Sequence, residues 1–305
     1  MSKLAIPWRL NLCIVVGQLA AAGAIFLLTA AASTWWHVGL LTLAYAIVGN
    51  SIYAAMHEAE HGMLLTSRFW NNALGALLGL FFPGPFHLLR QGHLGHHYRN
   101  RSDDEAFDFY FDGDNAVWKW LQLYGILTGF FWLTIVLSNF LIVVLPTRMM
   151  RKLLGFDRPS AACWDSFNPR YWRLIRCEAL AAIAFHTILL WSLSIPIANY
   201  GLVYLSFGLS WSAMQYVHHF GTERDVVHGA RNLWLFRPID VVWLHHNWHH
   251  THHARPTVPW IYLPELSREA GATREFLLWH YVRMWRGPRY TNVRVENRYA
   301  GRVVR

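Results

Sequence analysis

Long apolar runs free of charge alternate with short polar connections along this chain, and their lengths set the first expectations. Residues 12–32 carry no charged side chain and, at about 1.5 Å per residue, reach across a hydrocarbon core of about 30 Å. Residues 38–56 form a second run that ends directly at His57. A third, 73–89, is interrupted by Pro83-Gly84-Pro85, and a fourth occupies 121–145. Residues 178–217 make a fifth run, about twice the length of one span, with Pro196 and Asn199 near its centre; it predicts a hairpin of two helices. A cleaved leader is the rival reading of 12–32, given Lys3, Arg9 and the small residues Ala30–Ser33. The run is longer than the about 7–15 apolar residues of a leader, which favours a retained span.

Loop charge orients these runs. The connections 33–37 and 195–200 contain no Lys or Arg, whereas 147–177 holds seven: Arg148, Arg151, Lys152, Arg158, Arg170, Arg173 and Arg176. Basic loops stay on the cytoplasmic side, so the N-terminus, 147–177 and the basic tail beyond Pro264 are expected there. That leaves four crossings, at 12–32, 38–56, about 178–195 and about 199–217. Residues 73–89 and 121–145 must then dip into one leaflet and return, or lie in its interface. Within the tail, 273–285 has a helical period suited to a membrane surface. The expected architecture is an all-α integral membrane protein: four transmembrane helices, re-entrant or interfacial helices, and a cytoplasmic histidine-rich metal-binding cap. It is read as one domain over 1–305, with its motifs within about 40–265.

Composition agrees with the lipid reading. Hydrophobic residues make up 54% and charged residues 15%, against about 25% charged in soluble proteins. The net charge of +9 would suit nucleic acid, but no recognition motif accompanies it, so a nucleic-acid partner is not expected. The 17 Trp suit interfacial belts. Cys13, Cys163 and Cys177 form no CxxC and no even framework, which fits free thiols in a reducing compartment.

Three histidine clusters change the picture: His57-Glu-Ala-Glu-His61, His93-Leu-Gly-His96-His97 and His249-His-Thr-His252-His253. Spacings of three and four put imidazoles on one helix face, where two neighbours can share a metal. With 18 histidines in 305 residues, one HxxxH arises by chance about once, but two HxxHH stretches beside it do not. Each cluster falls at the cytoplasmic end of an apolar run. Isolated His37, His186 and His280 need no metal to explain them. A packed set of imidazoles would repel on protonation, so the clusters do. In the third cluster, His246, His249 and His250 also satisfy HxxHH, so two registers are open.

These boxes, in this order, resemble the membrane fatty acid desaturase superfamily, whose members carry HxxxH, HxxHH and HxxHH. The most specific stretch runs Asn247-Trp-His249-His-Thr-His252-His253-Ala-Arg-Pro-Thr-Val-Pro-Trp-Ile-Tyr-Leu-Pro264, similar to the NxHxxHHxxPxxPxxxLP of many acyl-lipid and front-end desaturases. The proline pattern favours the register of His249, His252 and His253. The resemblance implies metal ligation by His57, His61, His93, His96, His97, His249, His252 and His253. It adds a histidine after the last span, often with an amide four residues earlier; Gln215 precedes His219 by four, and His218 remains an alternative. His246, Asn247 and Asp225 are further candidates for ligands or for groups that orient them.

The resemblance implies two iron ions, dioxygen as co-substrate and a fatty acyl lipid as substrate. The residues alone give a multi-histidine site, and imidazole suits iron, zinc and copper alike. Glu58, Glu60, Asp103, Asp104, Glu223 and Asp225 are candidates to orient imidazole N–H groups. No HPGG-like haem motif occurs, so electrons are expected from a separate ferredoxin-like carrier and its reductase. The implied setting is a bacterial inner membrane, with the metal site and both termini cytoplasmic. The expected reaction is acyl desaturation. A lipid or alkane hydroxylase, a carotenoid ketolase and an alkene-forming fatty acid decarboxylase share the same boxes, and a non-enzymatic metal carrier is the reading from another class. A carrier's ligands should lie at the membrane midplane, whereas these lie at one edge.

Overall fold

The computed structural model describes residues 4–304. Its first two helices, α1 (Trp8–Ala31) and α2 (Trp35–Glu60), form a hairpin through a three-residue link. There follow α3 (Arg68–Phe81), α4 (Phe86–Arg99), the two-residue strand β1 (Phe109–Tyr110), α5 (Ala116–Leu127) and α6 (Phe130–Val144). The basic loop folds as α7 (Thr147–Leu154) and α8 (Arg158–Asp165), and a second long hairpin pairs α9 (Trp172–Leu193) with α10 (Ile197–Val217). The remainder is short: β2 (Asn232–Trp234), α11 (Arg237–Val242), α12 (His249–Ala254), α13 (Leu263–Glu269), β3 (Arg274–Phe276), α14 (Leu277–Met284) and β4 (Arg289–Tyr290). Among the described residues sheet is confined to two small parallel pairings, β1 with β4 and β2 with β3, so the fold is helical as expected.

Among the described residues three helices are long and apolar enough to cross a membrane, Trp8–Ala31, Trp35–Glu60 and the stretch Pro169–Leu193 that contains α9, or up to five if each of two bent helix pairs is one span. The fourth expected crossing coincides with α10, which has the length, 21 residues, but is diluted by Asn199, Ser206, Ser210, Ser212 and Gln215. The hairpin expected over 178–217 is present. α9 begins six residues earlier than the apolar pattern, because Arg173 and Arg176 sit in its first turns; Arg176 donates to the Leu145 carbonyl at 2.8 Å. The period over 273–285 is resolved into a strand and a helix, because Arg274 also holds the Leu233 carbonyl in the β2–β3 pairing.

The two interrupted apolar segments are bent pairs. α3 and α4 meet at 101°, and α5 and α6 at 91°. A break inside a membrane leaves carbonyls that must find donors within the protein. At the Pro-Gly-Pro break they do. The Phe81 carbonyl accepts from the hydroxyls of Tyr45 and Tyr204, each at 3.1 Å, the Leu80 carbonyl lies 2.7 Å from His186 Nε2, and Pro83 accepts from Asn139 at 2.9 Å. Helices α2, α6, α9 and α10 thus hold α3 and α4 in place. Around this point Phe26, Tyr45, Phe82, Tyr204, Phe207 and Trp211 form the core. Gly49 lets α2 approach α10, since a Cβ there would lie 2.6 Å from the Phe207 ring.

At the histidine end, Arg101 is fully buried and forms a bidentate pair with Asp108, its Nη1 lying 2.5 Å from Oδ1. Tyr216 at the end of α10 donates to Asp108 at 2.6 Å, and Gly221 N–H donates to it at 2.8 Å. The loop after α4 is thereby locked to the chain after α10, which sets two of the histidine-bearing segments against each other.

Candidate metal centre

Four segments deliver the imidazoles. α2 ends on His57 and His61, α4 carries His93, His96 and His97 on its last turns, α10 leads directly into His218 and His219, and α12 presents His249, His252 and His253. Their side chains converge in two groups, His57, His61, His93 and His252 in one and His96, His219, His249 and His253 in the other. Within each group the candidate ligand atoms all lie within 4.8 Å of one another. His97 lies between them. Its Nε2 is 3.2 Å from that of His93 and 3.1 Å from that of His252, while its ring centroid is 4.4 Å from that of His253.

The nitrogen contacts test whether a metal fits. Nε2 of His61 lies 2.8 Å from Nε2 of His93, which also approaches His97, which in turn approaches His252. An imidazole nitrogen has one in-plane direction, holding either a proton or a lone pair. His93 and His97 each face two nitrogens with that single direction, so the chain cannot be satisfied as ordinary hydrogen bonds. One cation that receives all the lone pairs satisfies it. Metal–nitrogen bonds of about 2.1 Å at right angles separate the nitrogens by about 3.0 Å, close to these spacings. In the second group Nε2 of His219 and His249 are 3.0 Å apart. Buried Nε2 atoms of His57 and His253 have no hydrogen-bond partner among the described residues. The residues present therefore fit two metal ions.

Outer contacts orient these rings. His219 Nδ1 lies 2.8 Å from the Gly229 carbonyl. A carbonyl only accepts, so Nδ1 carries the proton and Nε2 turns its lone pair inward. His96 makes the equivalent contact to Glu105, Nδ1 to Oε2 at 2.8 Å, and Arg99 holds the other carboxylate oxygen at 2.9 Å. Burial, followed by repulsion from neighbouring imidazoles, holds His219, His249, His252 and His253 well below the ordinary histidine value, so they stay neutral and available as ligands. For Glu105 burial pushes the pKa up, and the Arg99 guanidinium and His96 outweigh it and hold the carboxyl below its usual value.

The other candidates fall outside the two groups. His218 is fully buried with Nδ1 3.1 Å from the Met214 carbonyl, and its ring packs 4.5 Å from that of His249. His246 sits 4.8 Å from the His57 ring and 5.4 Å from that of His249. Gln215 donates to the Trp211 carbonyl at 3.1 Å and accepts from Tyr53 at 3.5 Å. Asn247 donates to Asp240, and Asp225 accepts from the backbone N–H groups of Val227 and His228. His250 turns to the surface, with Nε2 3.5 Å from Nδ1 of His228.

The acidic residues near the boxes have other duties. Glu58 accepts from the Trp260 N–H at 3.1 Å, and both oxygens of buried Glu60 lack a partner among the described residues. Asp103 and Asp104 pair with Arg224 and Arg158, and the Glu223 carbonyl, not its carboxylate, accepts from Arg101. The carboxylate that does reach a box histidine is Glu105, which the sequence reading passed over. Its signal was Arg99, an arginine buried beside the second box that needs a charge partner. Asp240 was also missed. It accepts from Asn247, Trp248 and Arg274 at 3.2–3.3 Å and braces the turn before α12.

A fatty acid desaturase family model matches residues 33–288, the larger part of the chain. The chain belongs to the fatty acid desaturase family. No curated protein matches it. The match takes in all four histidine-bearing segments and extends beyond the third box to α14, so the desaturase family's region includes the helix that the tail lays against α10.

Proposed function

We propose that this desaturase-family protein is an oxygen-dependent di-iron enzyme that places a double bond in the acyl chain of a membrane lipid. The observation that carries the reading is the pair of imidazole groups at one end of apolar helices, with nitrogen contacts that only cations satisfy. His57, His61, His93, His97 and His252 would hold one iron, and His96, His219, His249 and His253 the other. Two irons there supply the redox capacity with which dioxygen oxidises an unactivated C–H bond. In balance, two hydrogens leave adjacent carbons, two electrons and two protons come from outside, and dioxygen ends as two waters.

The chain's own residues set the conditions. Gly229 and Glu105 fix the tautomers of His219 and His96, and the aromatic core below the site keeps water from the apolar chain. The basic loop 147–177 favours a cytoplasmic placement of the site, in a bacterial inner membrane. Exposed Arg294, Arg298 and Arg302 suit an acidic ferredoxin-like carrier that brings electrons from its reductase.

The test is a perdeuterated fatty acid fed to cells that express the protein, with mass spectrometry of all lipids. Loss of two deuterons without added oxygen is the expected result. One deuteron replaced by hydroxyl would make it a hydroxylase, and a terminal alkene one carbon shorter a decarboxylase. Changed carotenoids with unchanged acyl chains would make it a ketolase, and no oxidised product with bound metal a carrier.

A further inference from the structure

The chain between β2 and α12 lies deeper than its sequence suggests. The Trp243 indole N–H donates to the carbonyl of Ile47 at 3.0 Å, and the Ser51 hydroxyl donates to the carbonyl of Val242 at 2.6 Å. Ile47 lies ten residues before His57 on α2, about 15 Å down the helix, and about 18 Å from the exposed Trp35 at its far end. Against a hydrocarbon core of about 30 Å, that level is inside the lipid. The turn is built for it. Asp240, Trp243, Leu244 and His245 each donate their backbone N–H to a carbonyl within 236–241. Its outer surface is mostly apolar: Phe236, Val241 and Val242 are exposed, as are Leu40, Leu43 and Ile47 on α2, which α11 contacts, and Arg237 at the first turn of α11 is its one exposed charge. The chain then reverses through Leu244 and His245, both left-handed at φ 47° and 53°, and delivers His246 toward the metal centre.

Behind Trp243 is a small cavity, about 10 Å³, lined by Asn50, Tyr53, Gln215, Trp243 and His246. It connects the lipid-facing turn to His246, whose ring lies 4.8 Å from that of His57. That volume is about one water and no more, so a methylene chain cannot occupy it while Trp243 stays in place.

We propose that this seam between α2, α10 and the 243–246 turn is a lateral entrance from the bilayer, and that Trp243 is its stopper. The occupant is an acyl chain of a membrane-resident lipid, which enters sideways from the hydrocarbon, rather than an acyl group carried in by a water-soluble thioester. The inference rests on the acyl-lipid reading above and names how that substrate arrives. A single tethering bond, Trp243 to Ile47, holds the stopper on the α2 side. Its rotation outward would enlarge the cavity toward lipid without moving any histidine.

The test uses the full chain in vesicles of phosphatidylethanolamine and phosphatidylglycerol that contain a phospholipid with a mid-chain diazirine. After irradiation, peptides are mapped by mass spectrometry. Adducts on Tyr53, Gln215 and Trp243 are expected in the wild type, and Trp243→Ala should raise those on Tyr53 and Gln215 several-fold. Labelling confined to Leu40, Leu43 and Ile47 in both proteins would overturn the entrance. A nitroxide at Val242→Cys, with Cys13, Cys163 and Cys177 replaced by Ser, checks depth without disturbing the stopper. It should be relaxed by dissolved oxygen and shielded from a water-soluble nickel chelate, and relaxation by nickel would overturn the proposal. Labelling needs no turnover, so the two readings separate. Labelled Tyr53 without any oxidised lipid removes the oxygenase reading and keeps the entrance, whereas oxidised lipid without labelling does the reverse.

Discussion

The Nδ1 of His219 and the carbonyl of Gly229 stand 2.8 Å apart, across a loop in which Gly229 has no room for a side chain. A Cβ on Gly229 would lie 2.2 Å from the Asp225 carbonyl and 2.3 Å from Cγ of Arg101. Backbone cannot yield as a flexible side chain can, so the Gly229 carbonyl would move and the His219 ring with it. Gly229→Ala is expected to halve metal content, from two ions per chain to one, in the protein that folds, and to lower folded yield because buried Arg101 must also shift. Metal analysis of purified protein checks this, and two ions retained in Gly229→Ala would refute it.

The placement of His97 and His250 gives a sharper contrast. His97→Ala removes a nitrogen that faces His93 and His252, and His249→Ala one that faces His219. Both changes should lower metal occupancy and abolish turnover, while His250→Ala, at the surface beside His228, should leave both nearly unchanged. Full occupancy in His249→Ala with loss in His250→Ala would restore the other register. Zinc in an overproduced sample would not count against iron, because intrinsic affinity favours zinc.

Glu105 reaches the metal only through His96. Groups in that position tune affinity by about 10–100-fold. Glu105→Gln keeps the size and can still accept, so it should weaken metal binding less than Glu105→Ala. Competition with a chelator measures both, and equal affinity in all three proteins would remove Glu105 from the site.

The Arg101–Asp108 pair should dominate the stability of the histidine end. Asp108→Ala strands a guanidinium with no exposed surface and removes the acceptor of Tyr216 and Gly221. Breaking one partner of a buried pair costs about 3–5 kcal/mol. Unfolding in mixed detergent micelles should show a loss of that size, and a change under about 1 kcal/mol would contradict the assignment.

Acid should release the tail before it unfolds the helices. The backbone N–H of Asp103 donates to the Val295 carbonyl at 2.8 Å, and Val295 N–H returns a bond to the carboxylate at 2.9 Å. Burial pushes the Asp103 pKa up, but the Val295 N–H, Arg224 and Arg158 outweigh it and hold the carboxyl below its ordinary value. A depressed folded value contributes stability that is complete above the unfolded pKa of about 3.9 and is lost as pH falls through the folded one. Cleavage after 290 by an acid-active protease should therefore rise below about pH 4. In Asp103→Asn, unlike the wild type, a protease active at neutral pH should already cut there, and protection of both proteins at all pH values would argue against the clamp.

The four-crossing arrangement puts 147–177 on the side of the histidines. Cys163 is only partly exposed, which makes it a poor reporter, whereas Lys152 on α7 is exposed. Lys152→Cys should resist an impermeant thiol reagent added outside intact cells whose outer membrane has been opened. Labelling there would require one of the bent pairs to cross.

The histidine boxes were legible because ligands three and four apart on a helix leave a local signature, and the first two boxes directly follow apolar runs. The two groups were not. Sorting His96 from His97, or His252 from His253, needs the relative placement of α4, α10 and α12, and α4 is set against α10 by Arg101, Asp108 and Tyr216 meeting across more than a hundred residues. Gly229, Asp240 and Glu105 act through loop and turn contacts that follow no helical period. No pattern marked 236–246 as an element either: Asp240, the acidic residue in its middle, turns inward to Asn247 and Trp248.

The break between α3 and α4 also bears on how the protein is made. Phe81 obtains one of its two hydroxyl donors from Tyr204, 123 residues later. At about 5–20 residues per second, a ribosome leaves that carbonyl without this donor for about 6–25 s after Phe81 is joined. During that interval the carbonyl has only the Tyr45 hydroxyl of α2, and the break between α3 and α4 waits for α10 to close over it. A metal ion offered before α10 is inserted would meet only the histidines of α2 and α4, so neither group can be completed until His219 and the histidines of α12 have followed the last long helix.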